Sequence, residues 1–299
     1  MLDFKRLRIP PTYPPYPPYH VGKYLEEYFY DYYKENKAEF DATGYTLIPV
    51  FWTNLYIAGF PNNIIQDYIN SLPAGKYFTV CQFDDGIHET LPENTLNFVA
   101  GGRKKGIPIP LICSPIPEVL KQPGVKKDIF CSFVGTVLNN EHYKCRLKLY
   151  EHYSKDKDFY FTPQRTWDRV ISDKQLNEFV DITQRSQFTL CPRGYGYQSF
   201  RLYEALQLNS IPVFVYDKFF FPFDMFVECD WNSFCVLINE IQIPQLKEIL
   251  KKITPEQQEK MLQKGREIYL KYFTMESMCY NILRTLKHHE KNPIHNTKI

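Results

Sequence analysis

The strongest constraint on this chain is residues 188–217, FTLCPRGYGYQSFRLYEALQLNSIPVFVYD. An apolar run, 188–191, stops at Pro192; a loop holding Gly194 and Gly196 follows, and an amphipathic segment leads to a second apolar run, 211–216. Strand, loop, helix and strand in that order specify a parallel βαβ unit, because parallel neighbours need a crossover. Ligands of open α/β sheets lie beyond the carboxyl ends of the strands. Here that end carries Arg193, two glycines and a helix N-terminus, which suits an anion.

On the helix, Arg201 and Glu204 stand three residues apart on one face, with Leu202, Ala205 and Leu206 on the other. Arg201 could meet phosphate and Glu204 ribose. An i,i+3 ion pair on a solvated face has the same spacing, and the helix alone does not separate the two readings.

The 299 residues, 44% hydrophobic and 23% charged, suffice for a sizeable core and fit two domains better than one. A net charge of +2, with basic residues interspersed among acidic ones, gives no polyanion signal, so no nucleic-acid partner is expected. Tyr and Phe, 23 of each, suit stacking on sugars or bases, although aromatic cores explain them as well. Eight cysteines without a CxxC pair, most of them inside apolar runs, read as buried free thiols. No stretch resembles a signal peptide or reaches the roughly 20 apolar residues of a membrane span. The expectation is a reducing, cytoplasmic setting.

Along the chain, IPPTYPPYPPYH reads as a polyproline II arm, either a docking motif or a strap over the protein's own surface. A helix over 23–36 follows, then strands at 46–52, 77–83, 95–99 and 109–113, with a helix over 62–71. Arg103, Lys104 and Lys105 read as a solvated turn tip. Prolines 115, 117 and 123 with Gly124 mark a boundary near residue 122, dividing 1–122 from 123–299. Beyond it come strands at 128–135, 159–161 and 233–238 and helices over 142–153 and 172–183. The tail opens on a capping box, Thr254 to Gln257 with Pro255 first in the helix, and continues into an apolar stripe of Ile268, Tyr269, Tyr272 and Phe273.

Two further places could carry chemistry. Gly135-Thr136, after a strand, is a turn where a ligand can approach the backbone, a feature that ordinary strand-to-helix turns share. Asp84-Asp85-Gly86 with His88 puts two carboxylates and an imidazole at a strand's carboxyl end, as a general-base site or as plain turn chemistry. The acidic pair also invites a divalent-ion reading, the lesser one. The other histidines, at 20, 142, 152, 288, 289 and 295, have no metal-ligand spacing, and neither Gly-x-Ser-x-Gly nor a Walker sequence occurs.

The segment FTLCPRGYGYQSFRLYEALQLNSIPVFVYDKFFFPF resembles the exostosin family, glycosyltransferase family 47. The resemblance extends upstream through DDGIHETLPENTLNFVAGGRKKGIPIPLICSPIP and KKDIFCSFVGT, and downstream through Trp231 and ITPEQQEKMLQKGREIYLKYF, covering most of residues 77–285. It implies a GT-B-type α/β architecture, two Rossmann-like domains facing across a cleft. The nucleotide sugar would be held by the C-terminal one, with the tail, about 255–287, packing back on the first.

By position, Arg193 is similar to the family's diphosphate-contacting arginine, Ser199 and Arg201 fall in its phosphate and donor-sugar region, and Glu204 resembles its ribose-binding carboxylate. With Gly194, Tyr197 and the Gly135-Thr136 turn, these form the expected donor-binding set. The resemblance further implies an inverting, metal-independent transfer from a UDP-sugar (UDP-xylose, UDP-galactose or UDP-glucuronic acid) to a glycan or glycolipid acceptor, with no cofactor. Asp85 is the first choice of base, with Asp84 and His88 in reserve, and Trp52, Thr53 and Asn54 are candidate acceptor contacts unless Trp52 belongs to the core.

Two departures stand out. Gln198 occupies a position where some relatives carry Gly, so loop shape and donor sugar could differ. Many eukaryotic members have an N-terminal membrane anchor, whereas this sequence is more like viral or bacterial forms. A non-catalytic partner subunit retaining the nucleotide site is the rival from another class, and a nucleotide-sugar hydrolase or epimerase is a third. The epimerase version is weakened by the lack of a dinucleotide fingerprint.

Overall fold

The computed structural model describes residues 3–10, 24–102, 106–112, 115–137, 144–164, 171–217, 222 and 230–291. Most of the proline-rich arm, the Arg103 to Lys105 tip, Cys113 and Cys229 lie outside them. Two parallel sheets organise the chain. The first runs in the order β1 (Thr46–Leu47), β2 (Tyr77–Cys81), β3 (Thr95–Val99), β4 (Ile107–Pro108). With it go α1 (Leu25–Glu35), α2 (Lys37–Asp41), α3 (Trp52–Ile57) and α4 (Asn62–Asn70).

The second sheet contains β5 (Ile129–Thr136), β6 (Phe159–Gln164), β7 (Ser186–Pro192), β8 (Ile211–Tyr216) and β9 (Val236–Asn239), in the order β6-β5-β7-β8-β9. Its crossovers use α5 (Lys144–Tyr153), α6 (Asp173–Arg185) and α7 (Phe200–Gln207). Then come α8 (Leu246–Lys251), α9 (Pro255–Ile268) and α10 (Met275–Lys291). Every residue of β2 and of β8 is buried, as expected of parallel strands covered on both faces. The two α/β units meet across a cleft, in keeping with the GT-B-type expectation.

Local signals set the helix starts. Ser172 accepts from the Gln175 amide at the head of α6, and Thr254 does the same for Gln257 at α9, with Pro255 in the first turn. Ile268 at the end of α9 and Tyr272 and Phe273 beyond it are buried, and α10 returns to the first unit. There Lys287 pairs with Glu39 at 2.8 Å, and the Tyr45 hydroxyl lies 3.0 Å from His289 Nδ1. One apolar cluster therefore runs through both units, from Phe29, Phe40, Phe78 and Phe98 to Tyr203, Phe273 and Ile282. Each fully buried ring contributes about 1.5–3 kcal/mol. The six described cysteines are all buried and none is in a disulfide, and burial pushes the Cys145 thiol up to about 12.

Two strand expectations need correction. The apolar run at 46–52 straddles a strand end and a helix start: β1 stops at Leu47, and Trp52 opens α3. A continuous apolar run does not reveal such a junction. The expected strand at 109–113 pairs instead at Ile107–Pro108. The Ile109 amide still reaches the Val99 carbonyl at 3.0 Å, but Pro110 has no N–H, and the Leu111 amide turns to the Gln198 side chain. Among the described residues, no helix is long and apolar enough to cross a membrane.

Candidate functional site

At the carboxyl ends of β5 and β7, facing the first unit, lies a cavity of about 340 Å³. That is within the usual size of small-molecule sites. Its polar wall combines Gly135 and Thr136 at the end of β5, Arg146 on α5, the loop holding Gly194 and Gly196, Ser199 at the head of α7 and Arg201 and Glu204 on that helix. Phe133, Ile171, Leu176 and Phe179 supply an apolar side, and Asp84 comes from the first unit.

Arg146, on the helix expected over 142–153, joins the site, a role the sequence did not announce. Its Nε donates to the Arg193 carbonyl at 3.1 Å and its Nη1 to the Thr136 carbonyl at 3.2 Å, so one guanidinium braces two strand-end loops. Gly194 makes room for it, since a β-carbon there would lie 3.1 Å from Nη2. A cation on the helix that follows a glycine turn was the available signal. The same logic that singled out Arg201 after β7 applies to Arg146 after β5.

Arg201 and Glu204 are paired, as the i,i+3 reading allowed, but on a buried face: Glu204 is 1% exposed. Arg201 Nε also donates to the Val134 carbonyl at 2.9 Å, and its guanidinium sits 4.1 Å above the Phe179 ring. Arg201, itself held by the Val134 carbonyl, therefore fixes the position of the Glu204 carboxylate in the cavity wall. Ser199 occupies the N-cap position of α7 and makes no side-chain cap bond to the helix.

Arg193 and Tyr197 are not among the cavity-lining residues. Arg193 is drawn to the end of β8, where Nη2 pairs with Asp217 at 2.5 Å, and Tyr197 lies under its guanidinium at 5.7 Å. Arg193 thus joins the cavity wall through its backbone carbonyl, which accepts from Arg146, while its guanidinium pairs with Asp217.

Of the three base candidates, only Asp84 lines the cavity. Asp85 accepts a hydrogen bond from the Tyr195 hydroxyl, which is 3.1 and 3.2 Å from its oxygens. His88 stacks on Tyr56 at 4.3 Å, its backbone N–H donating to the Tyr56 hydroxyl.

The acceptor-contact expectation fails at Trp52, which is 0% exposed and donates to Thr79 Oγ1 at 2.9 Å. Thr53 and Asn54 are buried too, bonded to Glu26 and to the Ile9 carbonyl. Glu26 is a second residue the sequence did not announce. Its Oε1 accepts from the Thr53 hydroxyl at 2.7 Å and from the Gln82 amide at 2.8 Å, tying α1 and α3 to the loop that carries Asp84. Burial raises its carboxyl to about 7, despite the opposing hydrogen bonds.

The family model of the exostosin GT47 domain matches residues 71–253, which include both walls of this cavity. The chain belongs to the exostosin GT47 family. Among its relatives, an Arabidopsis thaliana protein described as a probable glycosyltransferase is 40% identical over 86 residues, 29% of this chain and 17% of that protein. Human ribitol-5-phosphate xylosyltransferase 1 is 27% identical over 88 residues, 29% of this chain and 20% of its own length. The exostosin-family chain thus spans from about a sixth to about a third of the length of the curated relatives it matches. A glycosyltransferase from Rickettsia africae aligns over 90% of this chain and 82% of its own at 10% identity, with a TM-score of 0.44. At that likeness the fold assignment rests on the two sheets themselves.

Proposed function

We propose that this exostosin-family chain is an inverting glycosyltransferase, moving a sugar from a UDP-sugar to a hydroxyl of a glycan or glycolipid. The observation that carries the reading is one cavity holding Arg146, Arg201 and Glu204 from the second unit and the Asp84 carboxylate from the first. Glu204 would accept ribose hydroxyls, and Arg146 with the amides at the head of α7 would meet the diphosphate. Asp84 would take the acceptor's hydroxyl proton as that oxygen bonds to the anomeric carbon. The bond from that carbon to the diphosphate breaks, and UDP leaves with its new charge met by Arg146. No metal is needed in this scheme.

UDP-xylose is the first donor to try, since the human relative is named a xylosyltransferase. The purified chain should bind UDP and release it from one member of a UDP-sugar panel when a suitable acceptor is supplied. Proton NMR of the product should show an inverted anomeric centre. Absence of binding by every nucleotide sugar would overturn the proposal.

A further inference from the structure

Gln198 lies on the loop between β7 and α7, yet its amide turns to the other unit. It is 4% exposed. Its Nε2 donates to the Ala100 carbonyl at 2.6 Å and to the Ile109 carbonyl at 2.8 Å. Its Oε1 accepts from the Leu111 amide at 3.2 Å and from the Tyr203 hydroxyl. A side-chain amide offers two N–H donors and two acceptor sites, so its capacity is filled. Ala100 directly follows β3, and Ile109 and Leu111 follow β4, all in the first unit; Tyr203 is on α7. Beside this contact the Tyr197 amide donates to the Gly101 carbonyl at 2.9 Å. A β-carbon on Gly101 would lie 2.3 Å from the Asp84 α-carbon, so the segment Gln198 grips is packed directly against Asp84.

We propose that Gln198 is a positioning residue: it clasps the two α/β units and thereby sets where Asp84 stands over the cavity. Its effect on turnover rests on the glycosyltransferase reading; the clasp itself does not. The amide is specifically required. Leucine at this position leaves two carbonyls and an N–H without their partner. Ionised glutamate turns an oxygen, instead of a donor, towards the Ala100 and Ile109 carbonyls. Protonated glutamate restores one donor, and burial beside two carbonyl oxygens favours that protonated form. A glutamate variant should therefore regain the clasp as pH falls.

The test compares the full chain with Q198E and Q198A by amide hydrogen exchange of residues 106–112, corrected for intrinsic rates, at about pH 5 and about pH 8. UDP affinity and turnover with a nucleotide sugar are measured alongside. Q198E should exchange at least about tenfold faster than wild type at the higher pH and recover most protection at the lower. Q198A should be fast at both. Turnover should follow protection, so that Q198E regains turnover at the lower pH and Q198A does not. Wild-type protection in both variants at the higher pH, or protection lost without loss of turnover, overturns the proposal. If the wild type binds no nucleotide, the functional reading fails, and the exchange data still decide the clasp.

Discussion

Asp84 lies against Gly196 so closely that a β-carbon on the glycine would fall 2.3 Å from the carboxylate Oδ1. The same β-carbon would lie 2.7 Å from the Gly101 carbonyl, so Asp84 and backbone of the first unit crowd it together. Real β-carbons do not tolerate such distances. The first unit's carboxylate can reach the second unit's loop because no side chain stands at 196.

Gly196→Ala should therefore push the two units apart at this point. The expected cost is about 1–3 kcal/mol, the range for inserting a methyl into a packed site. It should appear as a lower melting temperature together with lost turnover. A variant with wild-type melting and activity would show that the contact is soft.

Asp84→Asn should leave UDP affinity near wild type and lower turnover by about 10²–10⁴-fold, the range for removing a general base. Asp85 is not among the cavity-lining residues, and Asp85→Asn keeps an acceptor for the Tyr195 hydroxyl, so its effect should be much smaller. Steady-state kinetics of the two variants decide the assignment, and the reverse order would return the base to Asp85.

Arg146→Ala should weaken UDP binding by roughly tenfold to a hundredfold, the worth of a hydrogen bond to a charged group. Arg193→Ala should act mainly on stability, because it leaves Asp217 without its guanidinium. Calorimetric titration with UDP, paired with thermal melting, separates the two arginines.

Glu26 predicts a pH dependence of stability. Its carboxyl is raised by burial to about 7, so between its ordinary value of 4.5 and about 7 the folded chain binds more protons than the unfolded one. The stability present below that window is lost as pH rises through it, by an amount of about 3 kcal/mol for this one group. Glu26→Gln should flatten that slope and melt higher than wild type above pH 7. Identical pH profiles for the two proteins would refute the assignment.

Much of the second unit was legible because its signals are local. β8 occupies the expected residues, 211–216, and the capping boxes of α6 and α9 start their helices where Ser172 and Thr254 stand. Arg201 and Glu204 share a face by helical spacing alone. The site's other half was not legible in the same way. Asp84 and Asp85 are neighbours in an acidic turn, and nothing in their order says which one faces the cavity.

By itself the sequence determined the parallel α/β character of the chain, the loop and helix that present Ser199, Arg201 and Glu204, and the membership of a family. These depend on periodicity, capping and residues close together in the chain. Only the tertiary structure decided which cations and which carboxylate share the cavity. Arg193 and Arg146 are 47 residues apart, and an Asp217 at the end of the next strand withdraws one guanidinium while two carbonyls aim the other. Asp84 and Gly196 come from different units, and their contact depends on how those units pack. Ion pairing and close packing act through space, so sequence separation carries no record of them.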